Sequence, residues 1–271
     1  MLCNAMKLAM VVFSVLALLG MGVQVNAAID DFESYSTTNL VGQAAAIGSG
    51  DWVTFPGDPG RLPSGGSLSA QASIGLTGQG VKSDDFNAHK SAAFDLGSTL
   101  TTGDSVSIMM QFDSTGNGPE AHIYVGNSTL TNGDQNDDVA FMIRMDGGST
   151  IGVSADLFDG DGTEDAQSIG RTGALNDWIE ARISITGSDG SGITDGTAEF
   201  KNVTAGDTGF TSIRTFSYPT GFGTGNTFIG LGTFANGGNF DNLNVSVVPE
   251  PTSLALMGLG VAFLFFVRRK I

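Results

Sequence analysis

Apolar and polar residues alternate with a period of two along much of this chain, and a helical period is sustained nowhere between residues 28 and 247. That pattern restricts the fold first, because successive side chains of an extended strand point to opposite faces, so one face is buried and the other wetted. In residues 105–112, Val106, Ile108, Met110 and Phe112 oppose Ser105, Ser107, Met109 and Gln111. Residues 139–145 repeat the pattern with Val139, Phe141, Ile143 and Met145, and residues 178–186 set Ile179, Ala181, Ile183 and Ile185 against Trp178, Glu180, Arg182 and Ser184. Further strands are predicted over 29–35, 52–55, 92–96, 122–125, 151–155, 198–203, 227–233 and 240–247. Between them lie clusters such as Gly116-Asn117-Gly118, Asn132-Gly133-Asp134 and Gly147-Gly148-Ser149, which favour turns. Many short strands joined by turns predict an all-β fold, an antiparallel β-sandwich of the jelly-roll kind with more strands than an immunoglobulin-type domain. No internal repeat suggests a propeller or solenoid.

The two ends read as addresses. Residues 1–27 form a signal peptide: Lys7 is its positive start, residues 8–19 its apolar run, and Val25-Asn26-Ala27 its small-residue cleavage site. At the other end, Pro249-Glu250-Pro251 is followed by an apolar segment over 254–267 and then by Arg268, Arg269 and Lys270. Those 14 apolar residues, as a helix, span roughly 21 Å, short of the ~30 Å hydrocarbon core. They predict a short C-terminal transmembrane helix that stops transiently in the inner membrane, with the basic cluster on the cytoplasmic side.

In motif, short helix and basic tail, residues 248–271 resemble the PEP-CTERM family of bacterial sorting signals. The resemblance implies recognition by an exosortase, a membrane-embedded cysteine peptidase, with processing near Pro249-Glu250-Pro251. It also implies export across the inner membrane of a Gram-negative bacterium to the cell surface or the extracellular space.

Removing both ends takes away four of the 12 Lys and Arg and one of the 28 Asp and Glu, so residues 28–248 carry −19. Such a domain repels nucleic acid, whose binding needs clustered basic residues. Cys3 is the only cysteine, which excludes a disulfide scaffold, a Cys-ligated zinc site and a cysteine nucleophile elsewhere.

A second, looser resemblance spans 28–247. The opening Asp30-Asp31-Phe32-Glu33-Ser34-Tyr35, the segment Asn176-Asp177-Trp178-Ile179-Glu180-Ala181-Arg182-Ile183 and the closing Phe240-Asp241-Asn242-Leu243-Asn244-Val245 look like laminin G-like and concanavalin A-like jelly rolls. In that arrangement the first and last strands pair, and glycan binding is a family tendency.

Candidate chemistry is sparse. Asp156, Asp159, Asp161, Glu164 and Asp165 lie within ten residues rich in glycine, and a loop that folds carboxylates and carbonyls together can hold calcium, although the spacing departs from the EF-hand. A solvated acidic hairpin is the alternative. Asp134, Asn136, Asp137 and Asp138 could supply calcium ligands or bind sugar hydroxyls, with Trp52, Tyr124 or Tyr218 as a stacking ring; core packing is the alternative for Trp52, and the one favoured. Trp178 is expected to be structural, and His89 and His122 to lie at the surface or in turns. Gly230-Leu231-Gly232 falls in an alternating strand, which disfavours a dinucleotide loop. With no nucleophile elbow, no phosphate-binding loop and no paired-carboxylate strand motif of the sandwich glucanases, the expectation is a non-enzymatic exported protein that associates with exopolysaccharide or matrix glycans. The rivals are a structural surface or biofilm protein without a specific ligand, and a polysaccharide hydrolase or lyase.

Overall fold

The computed structural model describes residues 26–53, 68–82, 90–112, 120–126, 139–146, 151–159, 164–188, 192–222, 227–234 and 238–248. The strands are β1 (Asn26–Asp30), β2 (Ser69–Gly75), β3 (Gly78–Lys82), β4 (Lys90–Asp95), β5 (Ser105–Gln111), β6 (Glu120–Gly126) and β7 (Val139–Asp146). They continue as β8 (Ile151–Asp159), β9 (Glu164–Gly173), β10 (Ile179–Ser188), β11 (Ile193–Asn202), β12 (Thr211–Phe222), β13 (Phe228–Phe234) and β14 (Asn239–Val247). Among the described residues there is no helix. The predicted tail helix over 254–267 and most of the signal peptide lie outside the described residues.

Two sheets face each other as an antiparallel jelly-roll sandwich. The eight-stranded sheet runs β12-β11-β10-β5-β14-β3-β2, with β1 paired to β14, and the six-stranded sheet runs β4-β13-β6-β7-β8-β9. Chain neighbours such as β4 and β5 fall in different sheets, so the connections cross between layers, as in jelly rolls. The first and last strands pair, as the second resemblance implies.

The inward faces supply one core. Val106, Ile108 and Met110 of β5, Ile179, Ala181 and Ile183 of β10, and Ile123 and Val125 of β6 are all buried in it. Registers bring these residues level across strands, Ala181 with Ile108 and Ile183 with Val106. Trp178 is buried, as expected of a structural residue, and its N–H donates to Thr204 Oγ1 at 2.9 Å.

Four strands escape the sequence pattern. The β2–β3 hairpin is built on small residues, and β9 reads Glu-Asp-Ala-Gln-Ser-Ile-Gly-Arg-Thr-Gly, so backbone pairing holds these strands with little apolar signal. In β12 the inward residues are Ile213 and Phe216, three apart. Ala198 pairs with Arg214 but Glu199 with Ser212, so a bulge inserts one residue and breaks the alternation. One predicted strand shrinks and another is described only in part. The one over 29–35 ends at Asp30, since Phe32 turns the chain at φ 58°, and of the one over 52–55 the described residues show a bridge from Val53 to Ala93, residues 54 and 55 lying outside them.

Gly196 lies in β11 opposite Phe216 of β12, and a Cβ there would overlap the Phe216 ring. Gly196→Ala therefore overpacks a core ring and is expected to cost about 1–3 kcal/mol, seen as a lower urea midpoint with an unchanged slope.

Candidate functional site

The opening and closing motifs prove to be anchors for backbone turns. The Asp30 carboxylate, buried at the end of β1, accepts the Phe32 N–H at 3.0 Å and the Tyr35 hydroxyl. Tyr35 Oη in turn accepts the Ala46 N–H at 2.9 Å and the Trp52 indole N–H at 3.0 Å. Trp52 packs edge-on against Phe94, centroids 4.8 Å apart, and has no exposed surface. Of the two readings of Trp52, core packing is the one found and the stacking ring is corrected: its indole fills the core and its one polar atom is bound by Tyr35. At the closing end, the buried Asp241 accepts the Leu76 N–H at 2.6 Å and the Asn242 N–H at 2.7 Å, while Glu33 accepts the Gln79 N–H at 2.8 Å. The β2–β3 turn is thus held by carboxylates from both motifs.

Of the acidic segment over 156–165, the described residues belong to two paired strands. Asp156 and Asp159 belong to β8, Glu164 and Asp165 to β9, and the register pairs Asp156 with Ala166, Leu157 with Asp165 and Phe158 with Glu164. No two of these acidic residues are register partners, because strand pairing interleaves them with neutral residues. Asp161 lies outside the described residues, as do Asp134, Asn136, Asp137, Asp138 and His89. Among the described residues no group of three or more His, Cys, Asp or Glu is placed to hold a metal ion.

On the outward face of the six-stranded sheet, Glu120, His122 and Tyr124 follow one another along β6. His122 Nδ1 meets Tyr124 Oη at 2.7 Å and Nε2 meets Glu120 Oε2 at 3.1 Å. His122 is only 4% exposed, so the expected surface or turn position is corrected: spacing of two along a strand joins it to the buried Tyr124 on one side and the half-buried Glu120 on the other. Gly232 is the register partner of His122, and a Cβ there would stand 3.0 Å from the Tyr124 ring, so glycine gives that ring its place. Tyr124, also buried, offers no stacking surface.

The outward face of the eight-stranded sheet is different. Glu180 pairs with Lys201 across β10 and β11 at 2.6 Å, and Arg182 binds Glu199 through Nη2 at 2.8 Å and Nε at 2.9 Å. Ser107 donates to Glu180 and Ser184 to Glu199. Phe210, from the link between β11 and β12, closes over this grid, with the Arg182 guanidinium carbon 3.5 Å and Lys201 Nζ 4.6 Å from its ring centroid. Glu180, Arg182 and Ser184 were legible as a polar face; Phe210 lies in no periodic segment and carried no signal.

With this geometry in hand, comparison with known proteins finds one sorting motif and several similar structures. Residues 247–270 match the PEP-CTERM protein-sorting motif, which marks secreted proteins for the envelope or surface of Gram-negative bacteria. No curated protein matches the chain by sequence. Among solved structures, it is similar to the T. cruzi calreticulin globular domain (13% identity, 76% of this chain and 87% of that one, TM-score 0.48). It is also similar to the Bacillus licheniformis β-glucanase (11% identity, 83% and 99%, TM-score 0.47) and the legume lectin-like domain from Entamoeba histolytica (11% identity, 66% and 86%, TM-score 0.40).

Two expectations follow for the buried carboxyls. Tyr35→Phe leaves the Ala46 and Trp52 N–H groups without their acceptor and should cost about 1–3 kcal/mol in urea denaturation. Burial raises Asp30 and Asp241 above the ordinary carboxylate value, against the hydrogen bonds that lower them. A raised carboxyl contributes stability that is complete below its unfolded value, about 4, and is lost as pH rises through its folded value. The stability of the wild type relative to Asp30→Asn should therefore fall as pH is raised from about 4 toward 7; a relative stability that rises would contradict this account.

Proposed function

We propose that the protein is an exosortase-processed, exported β-sandwich that associates with exopolysaccharide or matrix glycans at the cell surface without chemically altering them. The observation that carries the reading is the sorting motif over 247–270, which begins at the last residue of β14, so the sandwich is the part delivered. The fold, shared with lectins and glucanases alike, is compatible with sugar binding and does not decide catalysis. What favours binding over hydrolysis is the engagement of the described carboxylates. Glu120 is held by His122, Glu180 by Lys201 and Ser107, and Glu199 by Arg182 and Ser184. A glycosidase instead needs two carboxyl groups about 5–9.5 Å apart, one free to protonate the leaving oxygen and the other free to attack the sugar or to activate a water. The net charge of −19 keeps the exported domain soluble. Calcium is the cation that Asp156, Asp159, Asp161, Glu164 and Asp165 would hold.

The test is retardation of the processed protein in native gels containing single polysaccharides, including the host's own, with calcium and again with chelator. Retardation without release of reducing ends or unsaturated products is the expected result, and loss of retardation in chelator would show that calcium takes part in binding. Release of sugar products would overturn the non-catalytic reading; no retardation by any polymer would leave a structural surface protein.

A further inference from the structure

We propose that Phe210, lying on the ion-pair grid of β10 and β11, is the stacking platform for a neutral hexopyranose chain. The inference rests on the polysaccharide reading above and adds to it the place and the sugar class. Phe210 keeps part of its surface in solvent and belongs to no apolar cluster, whereas Phe94, Phe112 and Phe240 are fully buried in the core. Its ring is held by cations, the Arg182 guanidinium carbon 3.5 Å and Lys201 Nζ 4.6 Å from the centroid, while part of the ring stays in solvent; a sugar would stack on the face away from these cations. A ring fixed in this way loses little further freedom when a sugar stacks on it. The residues that flank it in sequence, Thr208, Gly209, Thr211 and Ser212, are small and exposed, so nothing bulky among them crowds that face.

Beside the ring the grid offers hydrogen-bonding capacity in both senses. Lys201 and Arg182 carry more N–H donors than Glu180 and Glu199 engage, and carboxylate oxygens accept more than one hydroxyl. Two acids and two bases leave the grid without net charge, in a domain of −19. A polyanion finds no positive field there, and a neutral sugar, apolar C–H groups on one face and hydroxyls at its rim, matches both the ring and the grid.

The test compares the processed wild type with Phe210→Ala, Phe210→Trp and Ser212→Arg in affinity gels containing a neutral β-glucan, a neutral galactomannan or alginate. At least one neutral polymer should retard the wild type and alginate should not. Phe210→Ala should weaken that affinity by about tenfold or more, equivalent to about 1.4 kcal/mol, and Phe210→Trp should keep it. Ser212→Arg, placed at an exposed position beside Glu199, should weaken it without removing any core contact, which keeps the test decisive if the alanine variant folds poorly. Unchanged affinity of both Phe210→Ala and Ser212→Arg, with the wild type bound, would overturn this site while leaving the polysaccharide reading intact. Preference for alginate would overturn the sugar class, and a wild type that binds no polymer would overturn both.

Discussion

The sandwich depends on a corner where β1 pairs with β14 and two buried carboxyls hold the adjacent turns. Strand pairing alone would leave the short β1 marginal, since five residues bury little apolar surface. Asp30 secures the turn that follows β1, and through Tyr35 it reaches Trp52, whose ring packs in the core. Asp241 secures the β2–β3 turn from within β14. Both carboxyls carry a desolvation cost that their N–H and O–H donors offset, and removing one partner strands the others. The motifs at the two ends of the domain are therefore a device for closing the fold, and their acidic character says nothing by itself about a ligand.

Much of the fold was legible because sandwich strands alternate, and the residues that alternate most regularly, in β5, β10 and β14, lie in the middle of the larger sheet. What was hidden was hidden for specific reasons. In β2 and β3 small residues replace the apolar alternation, in β9 polar residues do, and in β12 a bulge shifts Ile213 and Phe216 out of phase. The functional residues were harder still. Trp52 could be read as a binding ring or as a core residue, because glycine, aspartate and proline surround it, and the core claims it. His122 looked like a surface residue because an isolated histidine usually is one, yet its strand neighbours two residues away satisfy both ring nitrogens. Phe210 gained its meaning only when the chain brought it over Arg182 and Lys201, residues it is separated from in sequence.

The two outward faces divide the polar chemistry between them. On the six-stranded sheet His122 and Tyr124 are buried, Glu120 is half-buried, and the three bond to one another. On the eight-stranded sheet the ion pairs are partly exposed, with side-chain accessibilities of 18–32%, so solvent screens them and their contribution to stability is small. A grid that adds little stability yet orients four charged side chains around an aromatic ring is better suited to recognition than to holding the fold together.

We read the C-terminal segment as a sorting address whose recognition delivers the folded sandwich. The most direct measurement follows the chain in its exosortase-bearing host by cell fractionation and intact mass, comparing the wild type with a variant in which Pro249, Glu250 and Pro251 are all replaced by alanine. The account predicts a wild type shortened near residue 250 and recovered at the surface or in the medium, and a variant of full C-terminal length retained in the inner membrane. Equal processing and release of the two would contradict it.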